Sequence, residues 1–222
     1  MSRNAALVTG AGLSKRMGPG IKKEYRRLDG VPVLARSMAV FQNTGLFAEM
    51  AVTVPPGHVG QARDLVAPFV DTGKIRFVEG GLTRRDSVFL GLSALQDLDI
   101  EYVLIHDAAR PWITPELIRL VLEKTIERGA VIPVVDVTDA LVKTTPDGRV
   151  GTHMAKNGLR GAQTPQGFAY QEIFQAHQAA RRGGGEFYDD AQVLLAAGGS
   201  VFTVPGDPAN RKITYTHDLE DL

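Results

Sequence analysis

Short apolar runs alternate along this chain with longer stretches in which apolar residues recur every three or four positions. The runs are Ala5–Val8, Met50–Val54, Ile75–Val78, Tyr102–Ile105, Ala130–Val135 and Ser200–Val204. Their brevity and near-continuous apolar character predict strands buried on both faces. Between them, Val33–Phe41, Gly60–Val70, Ser87–Leu95, Pro115–Ile126 and Asp189–Ala197 carry the spacing of amphipathic helices. Thr114-Pro115-Glu116 reads as a helix start, an N-cap followed by proline in the first turn. Strands alternating with helices predict βαβ units, hence a doubly wound α/β fold with a mostly parallel sheet covered on both faces.

Two segments break the rhythm. Residues 136–160 hold Val150, His153 and scattered threonines without a helical or buried-strand pattern. They read as an excursion, a β-arm inserted before the chain returns to the core. Arg181-Arg182-Gly183-Gly184-Gly185 reads as a helix end followed by a flexible loop. Ala162–Phe168 reads as the beginning of a helix after the excursion, and no internal repeat is visible.

Composition narrows the class. At 222 residues the expectation is one large domain over 1–222, and 44% hydrophobic content is ample for a core. Lys plus Arg number 25 and Asp plus Glu 25, so the net charge is zero. Proteins that grip nucleic acid or an anionic membrane usually carry a basic surplus, so neither partner is expected. A basic site for a small anion inside a neutral whole is the better fit. The absence of cysteine excludes disulfides, thiolate metal sites and a cysteine nucleophile. No apolar stretch is long enough for a membrane helix and no secretory h-region follows Met1, which makes a cytoplasmic location the expectation.

The candidate chemistry sits where strands end. The first run leads into Thr9-Gly10-Ala11-Gly12-Leu13-Ser14-Lys15-Arg16-Met17-Gly18, then Lys22-Lys23. A glycine-rich turn there lets backbone N–H groups approach phosphate oxygens, with the basic residues supplying charge. The dinucleotide fingerprint fails, because Lys15 stands where its third glycine belongs and no acid ends the second strand. The P-loop fails too, since Pro19 follows Gly18. An ordinary βα turn with solvated basic residues is the plain alternative. Gly80-Gly81-Leu82-Thr83-Arg84-Arg85-Asp86-Ser87 follows the third run and could equally be a capped loop. His106-Asp107-Ala108-Ala109-Arg110-Pro111 ends the fourth, at the edge where open α/β sheets bind ligands. An Asp–Arg ion pair closing the loop explains that segment as well. His106 reads as structural, with no other histidine at ligand spacing.

Taken together and in this order, Gly-x-x-x-Arg-Met-Gly with a downstream Lys, Gly-Gly-x-x-Arg-x-x-Ser, His-Asp-Ala-Ala-Arg-Pro, Thr164-Pro165-Gln166 and Asn210-x-Lys212-Ile213-Thr214 form a specific set. The chain resembles the sugar-phosphate cytidylyltransferases over about residues 5 to 220, most of all those acting on 2-C-methyl-D-erythritol 4-phosphate in non-mevalonate isoprenoid synthesis. The resemblance implies transfer of a cytidylyl group from CTP to a polyol phosphate, with release of pyrophosphate. It implies that Arg16 and Lys23 line the triphosphate, with Gly12 as part of the backbone cradle. Gly10, Ala11, Gly81 and Ser87 would surround cytosine, and Ala108 would lie near its ribose. Asp107, Arg110 and Thr164 match acceptor contacts, and Lys212 would position the incoming phosphate. Mg²⁺ would bridge the phosphates with few or no protein ligands. Residues 136–160 would be the family's dimerising arm, making a homodimer and carrying Lys156 into the partner's site. Four departures stand out. Lys22-Lys23-Glu24 replaces the common Pro-Lys-Gln, Leu82 a frequent acid, Ala140 a frequent Thr and Lys156 the usual Arg. The last two fall on the acceptor side, which leaves the ribitol 5-phosphate (pentitol phosphate) cytidylyltransferases as the alternative.

Overall fold

The computed structural model describes residues 3–12 and 22–219. After β1 (Asn4–Thr9) a short hairpin, β2 (Arg27–Leu28) and β3 (Val31–Pro32), leads into α1 (Val33–Asn43). There follow β4 (Glu49–Val54), α2 (Val59–Val66), β5 (Ile75–Glu79), α3 (Arg84–Ser93), β6 (Tyr102–Asp107), α4 (Pro115–Arg128) and β7 (Ala130–Asp136). The chain then forms β8 (Leu141–Thr144), β9 (Val150–Met154), β10 (Arg160–Ala162), β11 (Gln166–Ala169), α5 (Tyr170–Gly183), α6 (Asp190–Ala196) and β12 (Phe202–Pro205).

The main sheet runs β10-β7-β11-β6-β1-β4-β5, with β12 also on β7. Pairs β1/β4, β1/β6, β4/β5 and β7/β12 are parallel. Both partners of β11, and β10 on β7, run antiparallel. The sheet is therefore mostly parallel and doubly wound, as the alternation predicts. Successive residues of β1 show why its run is continuous: Ala6 and Val8 pack with α1, α2 and α4, while Ala5 and Leu7 pack with α3, α5 and α6.

Side-chain caps set the starts of α3, α4 and α6. Thr114 Oγ1 accepts from the Leu117 N–H at 3.3 Å with Pro115 behind it, and α4 stops at Gly129, whose φ of +84° is open to glycine. Thr83 accepts from the Asp86 N–H at 3.0 Å and begins α3 at Arg84, three residues earlier than the apolar spacing alone suggests. Residues 162–168 correct the sequence reading. Ala162 closes β10 and Gln166–Ala169 form β11, so the helix begins only at Tyr170. Phe168 is fully buried between β6 and β7, and that burial, rather than local propensity, makes the segment a strand.

The excursion contains a separate two-stranded sheet, β8 with β9, exposed along most of its length. Val142, Val150 and Met154 on it are 40%, 60% and 42% exposed.

Candidate active site

Carboxyl ends of β1, β5 and β6 meet at one edge of the sheet. The loops after β1 and β5 touch: a Cβ on Gly80 would fall 2.2 Å from Ala11 Cβ and 2.8 Å from Ser87 Oγ. Only glycine fits that approach. Gly10 is pinned by its N–H to the Thr53 carbonyl at 2.8 Å, and Ala108 by its N–H to the Thr9 carbonyl at 3.0 Å. Ser87 Oγ accepts from the Gly81 N–H at 3.1 Å and donates to the Thr83 carbonyl at 2.9 Å. Its proton is thus committed to holding the loop. The structure brings together five of the six nucleotide candidates, Gly10, Ala11, Gly81, Ser87 and Ala108, on contacts made largely by backbone. The sixth, Gly12, is exposed beside them, its carbonyl taking a hydrogen bond from Lys22 Nζ at 3.1 Å.

Asp107, the last residue of β6, is the centre of the second half. Its Oδ1 accepts from Arg84 Nε at 3.2 Å and Thr9 Oγ1 at 3.3 Å, and its Oδ2 from Lys212 Nζ at 2.6 Å. Burial alone would raise its pKa, but Lys212, Arg84 and Arg110 outweigh that and hold the carboxyl well below the usual range. Arg110 donates to the Asn210 carbonyl at 2.7 Å, and burial lowers its pKa against the pull of Asp107. A cleft of about 210 Å³ opens here, lined by Arg84, Asp107, Arg110, Thr164, Tyr188 and Lys212 among others. The four acceptor-side candidates Asp107, Arg110, Thr164 and Lys212 therefore share one small, cation-rich hollow.

His106 is fully buried and burial lowers its pKa to about 4. Its Nε2 lies 3.2 Å from the Arg110 carbonyl, so that nitrogen carries the proton. Nδ1, 3.1 Å from Thr164 Oγ1, must then accept from the hydroxyl. The same Oγ1 accepts from the Asp107 N–H at 3.1 Å. His106 is thus held inside the fold, and its tautomer orients Thr164.

Lys23 is buried, in a short 3₁₀ turn over Lys23–Tyr25. Its Nζ donates to the Ile213 carbonyl at 2.8 Å, beside Lys212 in sequence, which links the end of the glycine-rich segment to the acceptor hollow. Lys22 is partly exposed. Arg16 lies outside the described residues. Lys156 is exposed and donates to the Thr138 carbonyl at 2.8 Å, within the excursion, and does not line the hollow.

Sequence reasoning named Lys212 but missed two further partners that hold Asp107, Arg84 and Thr9. Arg84 was legible only as a member of a motif, yet it bridges Asp107 to Asp190, the latter at 2.7 Å. Gln166 lies in Thr-Pro-Gln, but its part in fixing Asp190 depends on two N–H groups of a helix distant in sequence.

Comparison with known proteins decides what this arrangement belongs to. Residues 4–221 match the family model IspD, 2-C-methyl-D-erythritol 4-phosphate cytidylyltransferase. The chain belongs to that family. It is 42% identical to the bifunctional enzyme IspD/IspF of Rhodopseudomonas palustris (strain BisB5) over 98% of its own length, and 40% identical to that of Rhodospirillum rubrum over 99%. It spans about half of those relatives, 54% and 56% of their lengths. The 2-C-methyl-D-erythritol 4-phosphate cytidylyltransferase of Thermus thermophilus superposes with a TM-score of 0.78 at 32% identity, over 96% of this chain and 94% of that one. The bifunctional IspDF of Campylobacter jejuni gives 0.82 at 25% identity, covering this whole chain and 54% of its own. The methylerythritol phosphate cytidylyltransferase family thus accounts for both the fold and the set of motifs. None of these relatives is named for a pentitol phosphate, and the ribitol alternative is not favoured.

Proposed function

We propose that this chain transfers the cytidylyl group of CTP to 2-C-methyl-D-erythritol 4-phosphate and releases pyrophosphate. The observation that carries this is the meeting of the glycine-bearing loops after β1 and β5, at Gly10, Gly80 and Gly81, on the same sheet edge as a cationic hollow centred on Asp107. In the reaction an acceptor phosphate oxygen bonds to the α-phosphorus, and the bond from that phosphorus to the bridging oxygen breaks. The electron pair leaves on pyrophosphate. The attacking oxygen is already anionic, so no base is needed; the demand is for positive charge where oxygens crowd.

Lys23 meets that demand on the triphosphate side, together with Arg16, seven positions before it in the sequence. Lys212 and Arg110 face the acceptor phosphate. A carboxylate offers about four lone-pair sites. Thr9, Arg84 and Lys212 use three on Asp107, leaving one for a hydroxyl of the polyol. Ser87 Oγ keeps one lone pair, suited to the exocyclic amine that distinguishes cytosine from uracil.

Magnesium finds no cage here. Among the described residues there is no cluster of three metal-ligating side chains; of the two carboxylates lining the hollow, Asp107 is neutralised by Arg84 and Lys212, and Asp189 accepts from the Gln166 side chain and the Gln192 N–H. The donor set suits phosphate, and a divalent ion would arrive on the nucleotide as its counter-charge.

The chain is expected to act as a homodimer through residues 136–160, in the cytoplasm, without nucleic acid or membrane partners. The apolar side chains exposed on β8 and β9 favour a protein partner for the arm. No helix among the described residues is long and apolar enough to cross a membrane. A pyrophosphate-release assay with CTP and a panel of polyol phosphates tests the acceptor. Methylerythritol phosphate should give the highest kcat/KM; a higher value for ribitol 5-phosphate overturns the assignment.

A further inference from the structure

Behind the hollow runs a buried chain of polar groups that the reaction as derived does not use. His177 on α5 and Asp190 at the start of α6 are fully buried. His177 Nε2 lies 3.2 Å from Asp190 Oδ1, and Asp190 Oδ2 accepts from Arg84 Nη2 at 2.7 Å. Arg84 Nε then reaches Asp107 at 3.2 Å. Burial raises the pKa of Asp190, but Arg84 and the hydrogen bond from His177 outweigh it and keep the carboxyl ionised. An ionised carboxylate only accepts, so His177 Nε2–H donates. His177 Nδ1 has no partner among the described residues, so Asp190 is the one polar group that explains a histidine on this otherwise apolar helix face. Gln166 Oε1 accepts from the Asp190 and Ala191 N–H groups, both at 3.1 Å, and fixes the helix end from β11.

We propose that His177 and Asp190 are positioning residues for the acceptor site, acting through Arg84 on Asp107. His177 locks the Asp190 carboxylate in one rotamer. That carboxylate holds one edge of the Arg84 guanidinium, whose rigid fork leaves Nε as the donor to Asp107 Oδ1. Asp107 Oδ2 is thereby turned toward Lys212. The Thr-Pro-Gln motif serves both ends of this relay, with Thr164 on the Asp107 backbone and Gln166 on that of Asp190.

This inference rests on the function proposed above and makes a separate demand. His177→Leu removes the donor, His177→Gln restores an N–H at similar reach, and Asp190→Asn removes the charge on Arg84's far side. The readouts are steady-state constants for CTP and for methylerythritol phosphate, with thermal melts as the folding control. His177→Leu and Asp190→Asn should lower kcat/KM for the acceptor by about tenfold or more, because small misplacements at a reacting centre are costly. KM for CTP should stay within about twofold and His177→Gln should recover most of the loss. Equal rises in KM for both substrates, or Leu and Gln variants that behave alike, overturn the inference while leaving the function standing. If His177→Leu does not fold, Asp190→Asn with wild-type acceptor constants overturns it alone. No turnover by the wild-type chain overturns the function first and this inference with it.

Discussion

At the residue scale, His106 shows how a buried group orients a candidate site residue, Thr164. Its Nε2–H is fixed by the Arg110 carbonyl, which leaves Nδ1 to take the Thr164 proton and Thr164 to take the Asp107 N–H. Protonating it would put a second N–H against Thr164 and add charge beside Arg110. Its pKa is lowered from 6.5 to about 4 by burial. A histidine depressed in the folded state contributes stability that is fully present above about 6.5 and is lost as pH falls toward 4, where the unfolded chain binds the extra proton. That gap corresponds to about 3 kcal/mol. Urea unfolding across this window should therefore show a decline in the wild type that is smaller by about that amount in His106→Gln. Identical pH profiles for the two chains contradict a His106 held neutral by burial. The sequence reading of His106 as structural rests on the lack of another histidine at ligand spacing, and the structure finds the ring fully buried. Its hydrogen-bond partners were not legible, since they include a residue 58 positions away.

At the element scale, what was legible follows from period and punctuation. Runs such as Tyr102–Ile105 are continuous because β6 has packed layers on both faces, and that pattern survives in one dimension. Residues 162–168 were illegible for the opposite reason. Gly167 lies where a Cβ would meet Thr125 Oγ1 at 2.0 Å, and the strand exists because β6 and β7 leave a slot for it. The joining of the β1 and β5 loops is likewise tertiary, visible beforehand only as two glycine motifs. It gives a direct test. Gly80→Ala drives a methyl group into Ala11 and Ser87, so the loops must part. We expect a loss of about 1–3 kcal/mol in stability, as in overpacked cores. KM for CTP should rise severalfold, with that for the acceptor little changed. An unchanged KM for CTP would place the nucleotide elsewhere.

At the scale of the whole molecule, the arm is the part the fold does not explain by itself. Residues 136–160 bury little, and Lys156 donates to the Thr138 carbonyl of its own excursion. If the arm crosses a two-fold axis to serve the partner's site, each site draws on two chains. Lys23→Ala and Lys156→Ala should each be inactive alone. Mixed and allowed to exchange, about half the dimers would be mixed, each with one intact site, so activity should recover to roughly a quarter of wild type. If Lys156 acts within its own chain every site keeps a lesion, and no recovery after confirmed exchange removes the arm's role in trans.

The joined glycine loops and the cationic hollow are proposed to act on two substrates at once, with the acceptor phosphate, rather than water, attacking CTP. Phosphorus NMR of the chain incubated with CTP and methylerythritol phosphate reads this directly. A new asymmetric diphosphate, two mutually coupled phosphorus signals, should grow in step with pyrophosphate and only when both substrates are present. Pyrophosphate appearing with CMP, at a rate indifferent to the acceptor, would contradict it.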